Sequence, residues 1–272
     1  MTHRSAATTV GLSAQGLGLQ RGGTTILADI TLSLPATGSV ALIGPNGAGK
    51  STLLRALAGL LVPDHGTVRL GDRPVAALPT AERAATIGFL PQHFAPHWDL
   101  RVVDLVRLGV ERGGTASPDA AATDSVAAVL AAHGLGPLAQ RRWSALSGGE
   151  RARVLLAMVL AVDPPVLIAD EPGASLDVRH RIGVVDGLAR RGRDRLCIVA
   201  MHDLDLAFRA FDRVVLLAGG RLAAAGTAAD LFHDRRLDRA FGVDFMRLET
   251  PHGRLLQAVA RPDDADIGSG RN

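Results

Sequence analysis

Tyrosine is absent from this chain of 272 residues, and aromatic residues make up only 3% of it. So thin a supply of flat faces argues against a surface that stacks successive bases. The formal net charge is only +3. The arginine clusters at Arg141-Arg142, Arg190 to Arg195 and Arg235 to Arg239 therefore read as solvated faces or partner contacts, and no nucleic-acid partner is expected. A single cysteine, Cys197, cannot close an intrachain disulfide, which suits a reducing compartment. Its setting, Leu196-Cys197-Ile198-Val199-Ala200, reads as a buried strand. No signal-like apolar core opens the chain, and the longest apolar run, Val154 to Val162, falls far short of the roughly 20 residues of a membrane span. The protein is expected to be cytosolic or peripheral to a membrane. Lysine is scarcest of the charged residues: among 30 Lys and Arg, Lys50 is the only lysine.

That one lysine lies in the most informative stretch of the chain. Val40-Ala41-Leu42-Ile43 is a short apolar run. Gly44-Pro45-Asn46-Gly47-Ala48-Gly49-Lys50-Ser51-Thr52 follows with the pattern G-x-x-x-x-G-K-S, and then an apolar-periodic segment begins at Leu53. The order reads as buried strand, tight glycine loop and helix start. The glycines let successive backbone N–H groups turn inward toward a phosphate chain, and the helix N-terminus adds its orphan donors. Lys50 would reach the β- and γ-phosphates, and the Ser51 hydroxyl would hold Mg²⁺. A chain that otherwise uses arginine keeps a compact ammonium where a planar fork could not substitute.

The remaining patterns alternate between strand and helix. Antiparallel strands are predicted around Leu12 to Leu19 and Ile26 to Leu34, split by Gly22-Gly23. A helix over 50–61, a strand over 67–70, a helical stretch over 80–85 and a strand over 87–90 follow. Helical periodicity then dominates, over 102–110 and 125–133, with no strand signal until Val166. Helix 151–162 precedes Pro164-Pro165 and the run Val166-Leu167-Ile168-Ala169-Asp170-Glu171. Four apolar residues ending in two carboxylates read as a central parallel strand with its acidic pair at the ligand-binding edge. Helix 178–190, strand 196–200, helix 203–210, strand 213–217, the Gly219-Gly220 hairpin, helix 237–241 and strands 245–248 and 255–259 complete the pattern. His93 and His97 stand four apart, but Pro91 and Pro96 disfavour the helix that a metal pair would need.

The ordered set Gly44 to Thr52, Gln92, Leu146-Ser147-Gly148-Gly149-Glu150, Asp170-Glu171, Ser175-Leu176-Asp177 and His202 resembles the ATP-binding cassette, the ATPase subunit of ABC transporters. The resemblance runs from about Leu12 to Val259. It implies an α/β fold: a P-loop NTPase core with a mostly parallel sheet, an N-terminal antiparallel β subdomain and an inserted α-helical subdomain. The domain would cover 12–260, with the helical insertion at about 93–150, a flexible N-terminus at 1–11 and a flexible tail at 261–272. It further implies ATP and Mg²⁺ as cofactors, with Ser51, Gln92 and Asp170 at the metal. Glu171 would be the catalytic base, assisted by Lys50, Gln92 and His202. Ser147, Gly148, Gly149 and Glu150 would meet ATP held by a second copy in a head-to-tail dimer, with Asp177 near the seam. Integral membrane permease subunits and, indirectly, a substrate-binding protein are the implied partners, at the cytoplasmic face of the inner membrane.

Finer features resemble the iron-chelate (siderophore), haem and cobalamin importer ATPases: His97-Trp98-Asp99-Leu100, Val103 to Gly109, His202 to Ala207 and Phe241-Gly242-Val243-Asp244. Alternatives are a zinc or manganese importer ATPase and a soluble cassette such as an iron–sulfur assembly ATPase. The sequence departs from the family pattern in four places. Arg21 stands where an adenine-stacking aromatic is common, Gly173 replaces a threonine, Met158-Val159 replace an Arg-Ala pair, and Val110-Glu111-Arg112-Gly113 replace Arg-x-Pro-His.

Overall fold

The computed structural model describes residues 11–112, 120–174, 176–251 and 253–259. Almost all of the two ends expected to be flexible, and Ser175, lie outside these residues. The apolar runs become β3 (Gly38–Ile43), β7 (Val166–Asp170) and β8 (Leu196–Ala200), with every residue of the last two buried. Such strands can be apolar throughout because both faces of the sheet are covered. Val40, Leu42, Val166, Ile168, Leu196 and Ile198 face one core, whereas Ala41, Ile43, Leu167, Ala169, Cys197 and Val199 face the other. Burial drives the Cys197 thiol up to about 12, so it acts as a small core hydrophobe.

The first core lies between the parallel sheet and an antiparallel sheet of β1 (Leu12–Arg21), β2 (Thr24–Leu34), β4 (His65–Leu70) and β5 (Arg73–Pro74), ordered β2-β1-β4-β5. Helix α1 (Lys50–Leu57) packs into this layer. The main sheet adds β6 (Ile87–Leu90), β9 (Arg213–Ala218) and β10 (Arg221–Thr227), in the order β10-β9-β3-β8-β7-β6. Only the β10–β9 hairpin is antiparallel.

Helix α2 (Thr80–Thr86) precedes β6. Between β6 and β7 come α3 (Val102–Glu111), α4 (Ala120–Ala132) and α5 (Gly148–Leu160), with no strand among the described residues there. Helices α6 (Val178–Arg191) and α7 (Leu204–Ala210) pack on the sheet face shared with α3 and α5. The chain ends with α8 (Ala228–Phe232), α9 (Arg235–Phe241) and the hairpin β11 (Asp244–Thr250) and β12 (Gly253–Val259). The hairpin is fastened by Arg247, which pairs with the buried Asp238 and also donates to the Phe232 carbonyl at 2.6 Å. Desolvation opposes the charge on Asp238. Arg247 and the Phe245 N–H outweigh it and bring the carboxyl down to about 2.

Several helix boundaries differ from expectation, α4 by five residues at its start, and two of the differences have a clear local cause. Helix α1 stops at Leu57 although the apolar period runs on to Leu61, because Gly59 takes φ +68. A Cβ there would meet Val75 at 2.7 Å, and Leu60 beyond it is 59% exposed. Helix α5 begins at Gly148, three residues before the predicted start, because Ser147 and Glu150 form a capping box. The spacing S-x-x-E was the available signal. The arginine clusters are not merely solvated: Arg191 and Arg195 both pair with Asp163, and Arg236 with Asp234.

Candidate active site

The loop after β3 is shaped by Gly44. At φ +153, a Cβ on this residue would lie 2.1 Å from the Leu217 carbonyl oxygen, so no side chain fits. Ala48 N donates to Pro45 O at 3.2 Å, and Gly220 N donates to Ala48 O at 3.2 Å, tying the loop to the β9–β10 turn. Asn46 and Gly47 form the exposed tip, and Ala48 is buried beneath it. Helix α1 opens at Gly49-Lys50 with no side-chain cap. Its first N–H groups, including those at Ser51 and Thr52, are thus the orphan donors that an anion satisfies.

Lys50 is only 6% exposed, and its Nζ donates to the carbonyls of Gly44 at 2.7 Å and Pro45 at 3.2 Å. Burial lowers its pKa, and the charges of Glu171 and Asp170 act against that shift. Ser51 Oγ donates to Asp170 Oδ1 at 3.0 Å, and Asp170 is buried. A hydroxyl and a carboxylate side by side form a hard-oxygen pair suited to Mg²⁺.

Glu171 follows β7 in the left-handed region, at φ +50. Its N–H donates to Ala200 O at 3.1 Å, extending the β7–β8 pairing by one residue. One carboxylate oxygen accepts from Gln92 Nε2 at 2.6 Å, and the other contacts His202 Nε2. Gln92 follows β6, Glu171 follows β7, His202 follows β8, and the glycine loop follows β3. The sheet order therefore gathers Gln92, Glu171, His202 and the glycine loop, scattered along the sequence, at the carboxyl ends of four adjacent strands.

The segment Ser147–Glu150 is placed elsewhere. Ser147 Oγ accepts from Glu150 N at 3.3 Å, and Glu150 accepts from Ser147 N at 2.7 Å. Arg141 holds the other Glu150 oxygen at 2.9 Å. The Ser147 backbone N–H is the main cause of the lowered Glu150 pKa. Among the described residues, no hydrogen bond joins this segment to the loop at 44–52. Gly148 does line a cavity of about 360 Å³ with Gln92, Phe94, Trp143, Arg151 and Glu171, between the start of α5 and the Glu171 carboxylate. Asp177 caps α6 and pairs with His180 at 2.8 Å, largely exposed. Arg21 ends β1, exposed and opposite Thr24. Trp98 is 71% exposed, while Phe94 meets Trp143 edge-on at 5.6 Å.

Comparison with known proteins agrees with this arrangement. Residues 27–174 match the family described as ABC transporter. The hemin import ATP-binding protein HmuV of Thermobifida fusca is 40% identical over 244 residues, covering 89% of this chain and 85% of that protein. The cobalamin import ATP-binding protein BtuD of Halobacterium salinarum is 41% identical over 237 residues, covering 85% of this chain but 58% of that protein. Among solved structures, the dimeric ATP-binding cassette MJ0796 bound to ADP and Pi superposes with TM-score 0.71 at 24% identity, covering 80% of this chain and 98% of that one.

Proposed function

This chain belongs to the ABC transporter family and is an ATP-binding, ATP-hydrolysing transporter subunit; from that premise we propose that it energises import of an iron-chelate, haem or cobalamin substrate. The observation that carries the catalytic assignment is the grip on Glu171, one oxygen held by Gln92 and the other by His202 at adjoining strand ends. In this reading the loop 44–52 cradles the phosphates, and Lys50 exchanges its two carbonyl partners for phosphate oxygens. Ser51, Asp170 and Gln92 would hold Mg²⁺, which supplies charge neutralisation on the phosphates. Glu171 takes a proton from the attacking water as its oxygen bonds to the γ-phosphorus and the bond to the β-phosphate oxygen breaks. His202 contacts the departing γ-phosphate.

Among the described residues, Ser147, Gly148 and Gly149 make no hydrogen bond to the chain's own loop at 44–52, and Ser147 is occupied by the capping box with Glu150. Their role is with ATP bound by a second copy, in a head-to-tail dimer with Asp177 at its seam. The exposed Trp98 turn is the surface that receives the permease, and a substrate-binding protein acts through the permease. The described residues contain no helix long and apolar enough to cross a membrane, so attachment at the cytoplasmic face would come through the permease.

The relatives that carry haem or cobalamin import in their names support the cargo class. The assignment is tested with Glu171→Gln, which should bind ATP normally, lose about 10²–10⁴-fold in turnover and accumulate an ATP-dependent dimer. Near-wild-type hydrolysis would remove Glu171 from the reaction. Cargo is tested by reconstituting the subunit with its permease. Uptake of haem, cobalamin or a ferric chelate is expected; uptake of free zinc or manganese instead would overturn the cargo class.

A further inference from the structure

Asp99 lies two residues before the cap position of α3, too far back to cap the helix in the ordinary way. The cap position is taken by Arg101, whose side chain accepts nothing from the helix. Both Asp99 carboxylate oxygens instead reach a residue 45 positions away: Oδ1 accepts from Ser144 N at 2.9 Å, and Oδ2 from Ser144 Oγ at 2.8 Å.

Around this clamp the two strands of chain are joined in register. Trp143 N donates to Leu100 O at 2.9 Å, Val102 N to Arg141 O at 3.0 Å, and Arg142 to Asp99 O at 2.9 Å. The far side leads directly to the signature helix. Arg151 of α5 donates to the carbonyls of Ser144 at 3.1 Å and Trp143 at 3.2 Å, and lies over the Trp143 ring. Arg141 holds Glu150, half of the capping box at Ser147. On the near side, Trp98 adjoins Asp99 and stands in solvent. The backbone pairs hold 100–102 against 141–143, and the Asp99 carboxylate adds a side-chain connection to Ser144, which Arg151 of α5 also holds.

We propose that Asp99 is a positioning residue for the ATPase: through Ser144 it fixes the Trp98 turn to the cap of the signature helix, so that the two move as one body. This rests on the reading that the signature engages ATP of a second copy. Asp99 touches neither Glu171 nor Lys50, so its effect falls on assembly of the nucleotide sandwich rather than on the chemical step.

The two tryptophans of this tyrosine-free chain, Trp98 and Trp143, both lie at this junction. In full-length Glu171→Gln protein carrying Trp143→Phe, tryptophan emission reports Trp98 alone, since the chain has no tyrosine and only these two tryptophans. ATP with Mg²⁺ is expected to change that emission in step with dimer formation. Asp99→Asn and Ser144→Ala should each cut the change, and raise the ATP needed for half-maximal dimer, by about fivefold, as loss of a charge-assisted hydrogen bond would. Binding of a fluorescent ATP analogue to the monomer should stay within about twofold. Ser144→Thr, which keeps both donors, should restore the parent response. Ser144→Ala covers the case in which Asp99→Asn does not fold. Undiminished emission change in Asp99→Asn or Ser144→Ala, or dimer formation without any Trp98 response in the parent, would overturn the link. A parent that binds ATP yet never dimerises would overturn the dimer reading, and the link with it.

Discussion

The pair Asp238–Arg247 gives the most direct numerical test of the structure. Asp238 is almost fully buried, and Arg247, the Phe245 N–H and the α9 backbone hold its carboxyl at about 2 against an ordinary 3.8. A depressed carboxylate contributes stability above its unfolded pKa and loses it as pH falls through the folded one. At about 1.4 kcal/mol per pH unit, the contribution is on the order of 2 kcal/mol. It should be complete above about pH 5, roughly half lost at pH 3 and mostly lost at pH 2. Asp238→Asn removes the titration while keeping size. Urea unfolding of both proteins from pH 7 to pH 2 isolates the effect as a difference, since other carboxylates titrate in both. The gap between wild type and variant should shrink by about 2 kcal/mol across the acid range. A gap constant to within about 0.5 kcal/mol would show that Arg247 does not hold the carboxylate, and the tether of the C-terminal hairpin would need another explanation.

Lys50→Arg should lose most ATP binding and nearly all turnover despite conserving charge, because the planar guanidinium cannot enter the space between the Gly44 and Pro45 carbonyls; nucleotide titration and phosphate release check this, and near-normal values would show that charge alone suffices. Trp98→Ala should leave thermal stability within about 0.5 kcal/mol, as expected for an exposed side chain, and leave ATP affinity intact while weakening co-purification with the permease and transport. Full docking and transport would remove Trp98 from the interface.

The local features of the site were legible from sequence because each is written in consecutive residues. Loop 44–52 needs glycine at fixed offsets, and the apolar run before Asp170-Glu171 identifies a strand buried on both faces. What brings Gln92 and His202 to opposite oxygens of Glu171 is the strand order, which no local pattern encodes. The same holds for Asp99 with Ser144 and Asp238 with Arg247, contacts between polar residues that read alone as surface groups. Trp98 shows the limit from the other side: by sequence an aromatic in a proline-stiffened segment reads more often as local core than as interface, and its exposure in the structure removes the core reading. The end of α1 was missed for a steric reason, since Leu60 and Leu61 continue the helical period past a glycine whose backbone has already turned away.

The enclosure of Lys50 gives the protein an unusual chemical address. Beyond the α-amino group of the chain, its Nζ is the only primary amine in the sequence, and it is nearly buried against the carbonyls of Gly44 and Pro45. Amine-directed reagents, which on most proteins produce a scatter of surface adducts, have a single internal target here. The extent of acylation at that nitrogen becomes a readout of access to one defined point inside the loop at 44–52, without any label being engineered into the chain.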